Sequence, residues 1–221
     1  MNLETIVLMA VPLVFAITLH EAAHGYVARM FGDQTAAMLG RVTLNPIKHI
    51  DPVGTIAVPL IMYLAHAPFL FGWAKPVPVN FGNLRNPKRD MLWVAVAGPG
   101  ANLVMAVLWA IIYKLAMPDS AGEASALAAM AKIGISFNLV LMALNLLPIP
   151  PLDGGRIAVS LLPGRAAYAW SRLEPYGLYI ILGLLVLDQF TGIFGLLLSP
   201  FLALGELIVH ALTGVQALTG V

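Results

Sequence analysis

The sequence contains no cysteine, which excludes a disulfide framework, a thiolate metal site and a cysteine nucleophile. Charged residues are also scarce: they make up 10% of the 221 residues, whereas a soluble domain typically carries about 25%. This shortage of charge excludes an ordinary soluble enzyme. The formal net charge is only +1, so the sequence offers little electrostatic attraction for a nucleic acid, and we expect no nucleic-acid partner.

Apolar residues dominate instead: they make up 60% of the chain and raise its mean hydropathy to +0.87. They occur in long runs, so the expected solvent is a lipid bilayer. At about 20 residues per spanning helix, the chain has room for about five or six spans and for no sizeable soluble domain. The first run carries Glu4 where a signal peptide has positive charge, and it lacks a small-residue cleavage site, so we interpret it as a retained span.

Six apolar runs are the candidate membrane segments. They are Ile6–Leu19, whose helix continues to about Met30, and then Val53–Trp73, Met91–Leu115, Ile133–Leu147, Leu178–Leu187 and Gly192–Leu212. The Lys and Arg residues discriminate between topologies, because short cytoplasmic loops collect positive charge. If all six runs cross the membrane, the twelve cationic residues divide five to seven. If Val53–Trp73, which contains Pro59 and Pro68, enters and leaves on one side, ten of the twelve share that side.

The charge distribution therefore predicts an all-α polytopic membrane protein with five transmembrane helices plus one re-entrant segment; six spans are the alternative. It places the N-terminus outside and the C-terminus in the cytoplasm. It also brings the C-terminal ends of the first span and of the Ile133–Leu147 span to the same cytoplasmic depth. After the first helix, Leu39–Leu44 (LGRVTL) has strand propensity and stops at Asn45-Pro46, so we expect a small β-loop there.

The two helix ends that meet at this depth carry the residues with catalytic potential. His20 and His24, in the sequence HEAAH, are four residues apart and share one helix face, so both imidazoles can reach one ion. Glu21 is placed where its carboxylate can approach a water beside that ion. A catalytic zinc usually has three protein ligands and one open position. Asp153, which follows a proline-rich break and precedes two glycines, is the candidate third ligand.

Three motifs in this order resemble the site-2 protease family of intramembrane zinc metalloproteases. They are HEAAH at 20–24, AGPGAN at 97–102 and NLLPIPPLDGG at 145–155, and FGWAKPVPVN at 71–80 is similar to short members of the family. We recognise no PDZ-like insertion and no CBS-type nucleotide-sensing pair, so the chain resembles a near-minimal core. The expected organisation is one membrane-embedded domain over 1–221, with the catalytic core at about 1–160 and a helix pair at about 174–213.

The resemblance implies a zinc metalloendopeptidase with one Zn²⁺ per chain, held by His20, His24 and Asp153, and with Glu21 as the general base. The implied substrates are membrane proteins or peptides that are cut within or near transmembrane helices, as in regulated intramembrane proteolysis. The implied location is the cell (inner) membrane, with the active site toward the cytoplasm. The alternative is a membrane metal-binding protein or transporter that uses the same His/Asp cluster and needs polar residues along a path across the bilayer.

Substrate contacts are expected from two amides and one loop. The resemblance implies that Asn145 contacts the substrate or helps to polarise the scissile carbonyl, and that Asn102 packs near the site. For Asn102 the alternative is a hydrogen bond between packed helices. An unwound substrate segment can be captured by pairing with an edge strand, and an ordinary interfacial loop is the alternative. The candidate capture residues are Leu39, Arg41, Val42 and Leu44.

Overall fold

The computed structural model describes residues 3–66, 72–117 and 125–216, and its regular structure is helical. The α-helices of these ranges are α1 (Leu3–Met30), α2 (Thr35–Met38), α3 (Val58–Leu64), α4 (Pro87–Ala116), α5 (Ala126–Leu146), α6 (Asp153–Leu161), α7 (Gly164–Ser171), α8 (Gly177–Thr191) and α9 (Ile193–Thr213). Short 3₁₀ turns lie at Pro46–His49, Phe81–Asn83 and Glu174–Tyr176, and a π-helical turn at Pro52–Ala57 precedes α3.

Five helical segments of the described ranges are long and apolar enough to cross a membrane, which confirms the predicted all-α polytopic class with five transmembrane helices. They are Val7–Met30, Pro87–Ala116, Ala126–Leu146, Gly164–Thr191, which joins α7 and α8, and Ile193–Thr213. The apolar helix Pro52–Leu64 is shorter than the about 20 residues that a span requires. Part of the predicted re-entrant segment, residues 67–71, lies outside the described residues. The sidedness of the chain stays a prediction.

The ends of the long helices follow from local chemistry. Pro87 is the first residue of α4, a position where a backbone N–H has no intrahelical acceptor, so the lack of an N–H in proline costs the helix nothing. Ser125 caps α5 by accepting a hydrogen bond from the Ala128 N–H at 3.1 Å. Gly192 separates α8 from α9 with a φ of +65°, a left-handed conformation that glycine adopts without a Cβ clash. The C-terminal helices therefore form a tight hairpin.

The centre of the molecule is a bundle of α1, α4 and α5, against which α9 also packs. Its largest buried cluster lies between α4, α5 and α9 and consists of Ala106, Ala110, Ile135, Leu139, Met142 and Val209. Large apolar side chains such as Phe15, Leu108 and Phe190 remain exposed on the outer faces of the helices, as expected where lipid is the solvent. The short helix α6 packs against α4, which places the end of the proline-rich motif beside this bundle.

The segment Leu39–Leu44 does not form the expected β-loop: it is a turn followed by bends, and the described ranges contain no strand. Gly40 has a φ of +63°, which interrupts an extended backbone. The Val42 side chain packs against Gly25 of α1, and the Arg41 guanidinium donates a 2.9 Å hydrogen bond to the Lys75 carbonyl. Strand propensity is weak without a neighbouring strand to pair with, so these contacts with α1 and residue 75 decide the conformation.

Candidate metal centre

The aspartate reaches the histidines because the chain turns back sharply between α5 and α6. The proline-rich residues after α5 hold no α-helix before α6 begins at Asp153. Gly154 and Gly155 permit this turn: a Cβ on Gly154 would collide with the Leu147 carbonyl, and a Cβ on Gly155 would collide with the Pro150 nitrogen. Gly154 therefore lets the first turn of α6 pack directly against the end of α5, and Gly155 lets it pack against the turn at Pro150.

The structure brings His20, His24 and Asp153 together in one buried cluster. The Nε2 atoms of His20 and His24 lie 3.3 and 3.2 Å from Asp153 Oδ2, and they lie 3.1 Å from each other. The three residues are 8%, 7% and 4% exposed. Among the described residues, these three side chains are the group of histidines and acids that converges closely enough to hold a metal ion.

The donor atoms fit a zinc ion. Asp153 Oδ2 is buried and has no hydrogen-bond partner, a state that a carboxylate oxygen rarely tolerates unless it binds a cation. Two ligand atoms that each lie about 2.0–2.1 Å from a tetrahedral zinc are about 3.3 Å apart. The separations in this cluster, 3.1 to 3.3 Å, match that value. Two imidazoles and one carboxylate are also a ligand set of catalytic zinc sites that keep a fourth position open.

Both imidazoles are held with Nε2 toward the cluster by hydrogen bonds that their Nδ1 atoms donate. His24 Nδ1 lies 2.7 Å from the Val94 carbonyl oxygen, which can only accept, so Nδ1 carries the proton and the Nε2 lone pair is free. His20 Nδ1 lies 2.7 Å from Asn102 Oδ1, which has the same effect. Such partners fix the tautomer and orientation of a histidine that binds a metal.

Helix α4 faces the cluster with a stripe of three residues at four-residue spacing: Val94, Gly98 and Asn102. Gly98 supplies the space, because a Cβ there would collide with His24 Nε2 and lie 2.6 Å from His20 Nε2. Asn102, predicted to pack near the site, bonds directly to one candidate ligand. Sequence reasoning missed Val94 and the role of Gly98, although four-residue spacing backward from Asn102 would have placed both on its face.

Glu21 lies on α1 between the two histidines in sequence and is half-buried. Its Oε2 atom accepts a hydrogen bond from the Val77 N–H at 2.6 Å. Val77 belongs to residues 72–80, a segment without regular secondary structure that contacts α1 at Glu21 and Gly25 and that we call the strap. The strap therefore holds one oxygen of the Glu21 carboxylate. The sequence did not predict this contact, because almost every residue type has a backbone N–H and none marks the donor.

The strap is itself attached at several points. Arg41 Nη2 donates to the carbonyl oxygens of Lys75 and Pro76 at 2.9 and 3.3 Å. The Asn80 N–H donates to Asp33 Oδ2 at 2.8 Å. Arg41, predicted as a substrate-capture residue, thus bonds within the protein in this structure, and Asp33 is a second anchor that sequence reasoning missed.

Asp33 is fully buried just beyond the end of α1. Burial disfavours its charged form, but hydrogen bonds from Thr35, Asn80 and Asn83 outweigh that effect and hold the pKa of Asp33 below its usual value. Asp33 is therefore a charged and fully bonded anchor at neutral pH. Its hydrogen bonds tie the end of the first span to the C-terminal end of the strap.

The remaining predicted substrate residues do not belong to the metal cluster; they are Leu39, Val42, Leu44 and Asn145. Leu39 and Leu44 are exposed, at 63% and 66%, whereas Val42 is half-buried against α1. Asn145 donates its side-chain amide to the Leu141 carbonyl at 2.9 Å, on its own helix. Their roles in binding substrate stay predictions.

Comparison with known proteins agrees with the cluster. The sequence profile described as "Peptidase family M50" matches residues 114–187. Relatives with the name "Putative zinc metalloprotease" include YwhC of Bacillus subtilis (strain 168) and Rip2 of Mycolicibacterium smegmatis. No solved structure matches the chain significantly.

YwhC is 41% identical to this chain over 182 residues, which is 80% of both chains. Rip2 of M. smegmatis is 31% identical over 172 residues, 77% of this chain and 63% of the relative. Rip2 of Mycobacterium tuberculosis (strain H37Rv) is 31% identical over 143 residues, 63% of this chain and 51% of the relative. The chain thus spans most of YwhC but only about half to two thirds of the Rip2 proteins.

Proposed function

This chain belongs to peptidase family M50, the site-2 proteases, and on that premise we propose that it is a zinc metalloendopeptidase that cuts membrane proteins within or near their transmembrane helices. The observation that carries the proposal is the buried cluster of His20, His24 and Asp153, in which Asp153 Oδ2 has no hydrogen-bond partner. Its place among apolar helices that can cross a membrane supports a substrate that is itself embedded in the bilayer. The whole chain acts as one domain in this proposal.

Each polar residue of the site has a role in the proposed reaction. His20, His24 and Asp153 would hold one zinc ion per chain, which when bound would give electrophilic assistance to the scissile carbonyl and lower the pKa of a water molecule. Glu21 accepts the proton of the attacking water and returns it to the nitrogen of the leaving amine. The Val77 N–H holds one Glu21 oxygen, so the carboxylate has a defined orientation during both transfers. Asn145 contacts the substrate near the scissile carbonyl.

The proposed setting is the inner membrane of the cell, with the active site toward the cytoplasm. The support is that ten of the twelve Lys and Arg residues share one side when Pro52–Leu64 does not cross. The proposed role of the enzyme is regulated intramembrane proteolysis. The polar residues next to the cluster favour a protease over metal transport: Asn102 and Asn138 are both fully buried and bonded to each other, as in a packed network.

The first test is the zinc content of the detergent-purified protein. We expect about one zinc per chain in the wild type and little or none in Asp153→Ala, because two histidines alone leave a zinc site incomplete. Asp188→Asn is the matched control, since Asp188 accepts a hydrogen bond from the Phe194 N–H and lies outside the cluster. Zinc that persists unchanged in Asp153→Ala would contradict a site built from both α1 and α6.

Substrate capture by residues 39–44 has its own test. A substrate helix must unwind before its peptide bonds are accessible, and we propose that its extended backbone pairs with this segment. Val42→Pro removes one backbone N–H and should strongly reduce cleavage of a tagged single-span reporter. Val42→Ala keeps that N–H and removes only the side chain that packs on Gly25, so it separates pairing from packing. Full cleavage by Val42→Pro would exclude pairing at this residue.

A further inference from the structure

Asn138, on α5, is linked to the candidate metal ligand His20 through two hydrogen bonds, by way of Asn102. We propose that Asn138 is a positioning residue for the metal centre: it holds the Asn102 amide with its oxygen toward His20, so that His20 presents a free Nε2 lone pair. The inference deepens the proposed function, since it concerns the same metal site. Neither the HEAAH motif nor the Asp153 motif contains this residue.

The contacts run in one line from α5 to α1. Asn102 Oδ1 lies 2.7 Å from His20 Nδ1, and Asn102 Nδ2 donates to Asn138 Oδ1 at 3.0 Å. Asn138 Nδ2 in turn donates to the Gly134 carbonyl at 2.8 Å. Asn102 Nδ2 also donates to the Ala16 carbonyl, at the longer distance of 3.2 Å.

Backbone carbonyls determine which way both amides point. The Gly134 carbonyl can only accept, so Asn138 must direct its NH₂ group there and its oxygen toward Asn102. Asn102 must then direct its NH₂ group toward that oxygen, which leaves its own oxygen for His20. The orientation of each side chain therefore follows from a neighbour that cannot change its hydrogen-bonding character.

A reversed Asn102 amide would present NH₂ to His20 Nδ1. Nδ1 would then have to accept, the imidazole proton would move to Nε2, and the atom that faces His24 and Asp153 would no longer be a ligand. Asn102 and Asn138 are both 0% exposed, so water does not replace a lost partner. Removing the Asn138 oxygen leaves only the longer bond to Ala16 to oppose this reversal.

A packing role alone predicts a different result. If Asn138 only joined α4 to α5, its loss would lower the thermal stability of the metal-free protein and leave the zinc affinity of the folded protein unchanged. A positioning role predicts a loss of affinity, because residues that orient metal ligands typically contribute about 10–100-fold to metal binding. Zinc affinity and stability therefore have to be measured separately on each variant.

The experiment uses the full chain in detergent, with Zn²⁺ affinity measured by competition with a chromophoric chelator and with the visible absorption of the Co²⁺-substituted protein as a second readout. Asn138→Leu, which has a similar volume and no acceptor, should bind Zn²⁺ about 10-fold or more weakly and change the Co²⁺ spectrum. Asn138→Asp in its protonated form keeps an acceptor toward Asn102 and a donor toward the Gly134 carbonyl, so it should restore most of the affinity. Ser136→Ala removes an exposed side-chain bond on the same helix, also to the carbonyl four residues back, at Lys132, and should change neither readout.

An Asn138→Leu protein with wild-type Zn²⁺ affinity and Co²⁺ spectrum would overturn the inference, whatever its melting temperature. If that variant does not fold, Asn138→Ser replaces it with the same expectation, because the shorter hydroxyl does not reach Asn102. A wild-type protein that binds no Zn²⁺ overturns the inference together with the proposed function. If the Zn²⁺ affinity depends on Asn138 as expected but the wild type cuts no membrane reporter, the inference stands while the proposed activity fails.

Discussion

Glu21→Gln should bind zinc like the wild type and cleave at least about 10²–10⁴-fold more slowly, because a general base typically contributes that factor and an amide cannot accept the proton of water. Glutamine has nearly the same shape as glutamate, and its amide oxygen can still accept the Val77 N–H, so the strap stays attached. The measurement is the rate of cleavage of a tagged single-span reporter in liposomes, beside the zinc content of the same preparation.

Glu174→Gln is the control for this substitution. Glu174 forms a long, exposed ion pair with Arg156, at 3.9 Å, and lies outside the metal cluster. Exposed pairs of this kind contribute little, so this variant should cleave at the wild-type rate. Wild-type cleavage by Glu21→Gln would eliminate Glu21 as the base, whereas a loss of zinc in that variant would mean that Glu21 helps to hold the metal.

Gly98→Ala should abolish zinc binding although it adds only one methyl group. The new Cβ would collide with His24 Nε2 and lie 2.6 Å from His20 Nε2, so the two imidazoles would have to move apart. Loss of a residue that orients a ligand can lower metal affinity by about 100-fold, and displacing the ligands themselves should lower it at least as much. The measurement is Zn²⁺ affinity by chelator competition, with cleavage of the reporter expected to fall in parallel.

Gly100→Ala provides a matched control two residues along α4. A Cβ on Gly100 would meet no atom within 4 Å, so the metal centre has no reason to change. Both substitutions raise the helix propensity of α4, by about 1 kcal/mol each, so neither should unfold the helix. Equal zinc affinities of Gly98→Ala and Gly100→Ala would contradict the placement of Gly98 against the two histidines.

The sequence alone predicted the membrane class, five spans with six as the alternative, and the three candidate zinc ligands. The apolar composition and the length of the apolar runs indicate that the chain lies in a lipid bilayer. The four-residue spacing of His20 and His24 places both on one helix face because of helix geometry. The bias of Lys and Arg toward one side then selected the topology in which Asp153 reaches the same depth. Each of these inferences needs only the order of residues along the chain.

Only the tertiary structure decided what surrounds those ligands. The stripe on α4, the Asn138 contact and the strap over Glu21 depend on how each helix is rotated and how deep it lies. Apolar sequence leaves rotation and depth open, because lipid and packed helix are equally apolar environments and close packing selects between them. The missing strand at Leu39–Leu44 has a related cause: its propensity is local, but a strand needs a partner strand, and the part of the chain that the structure describes contains none.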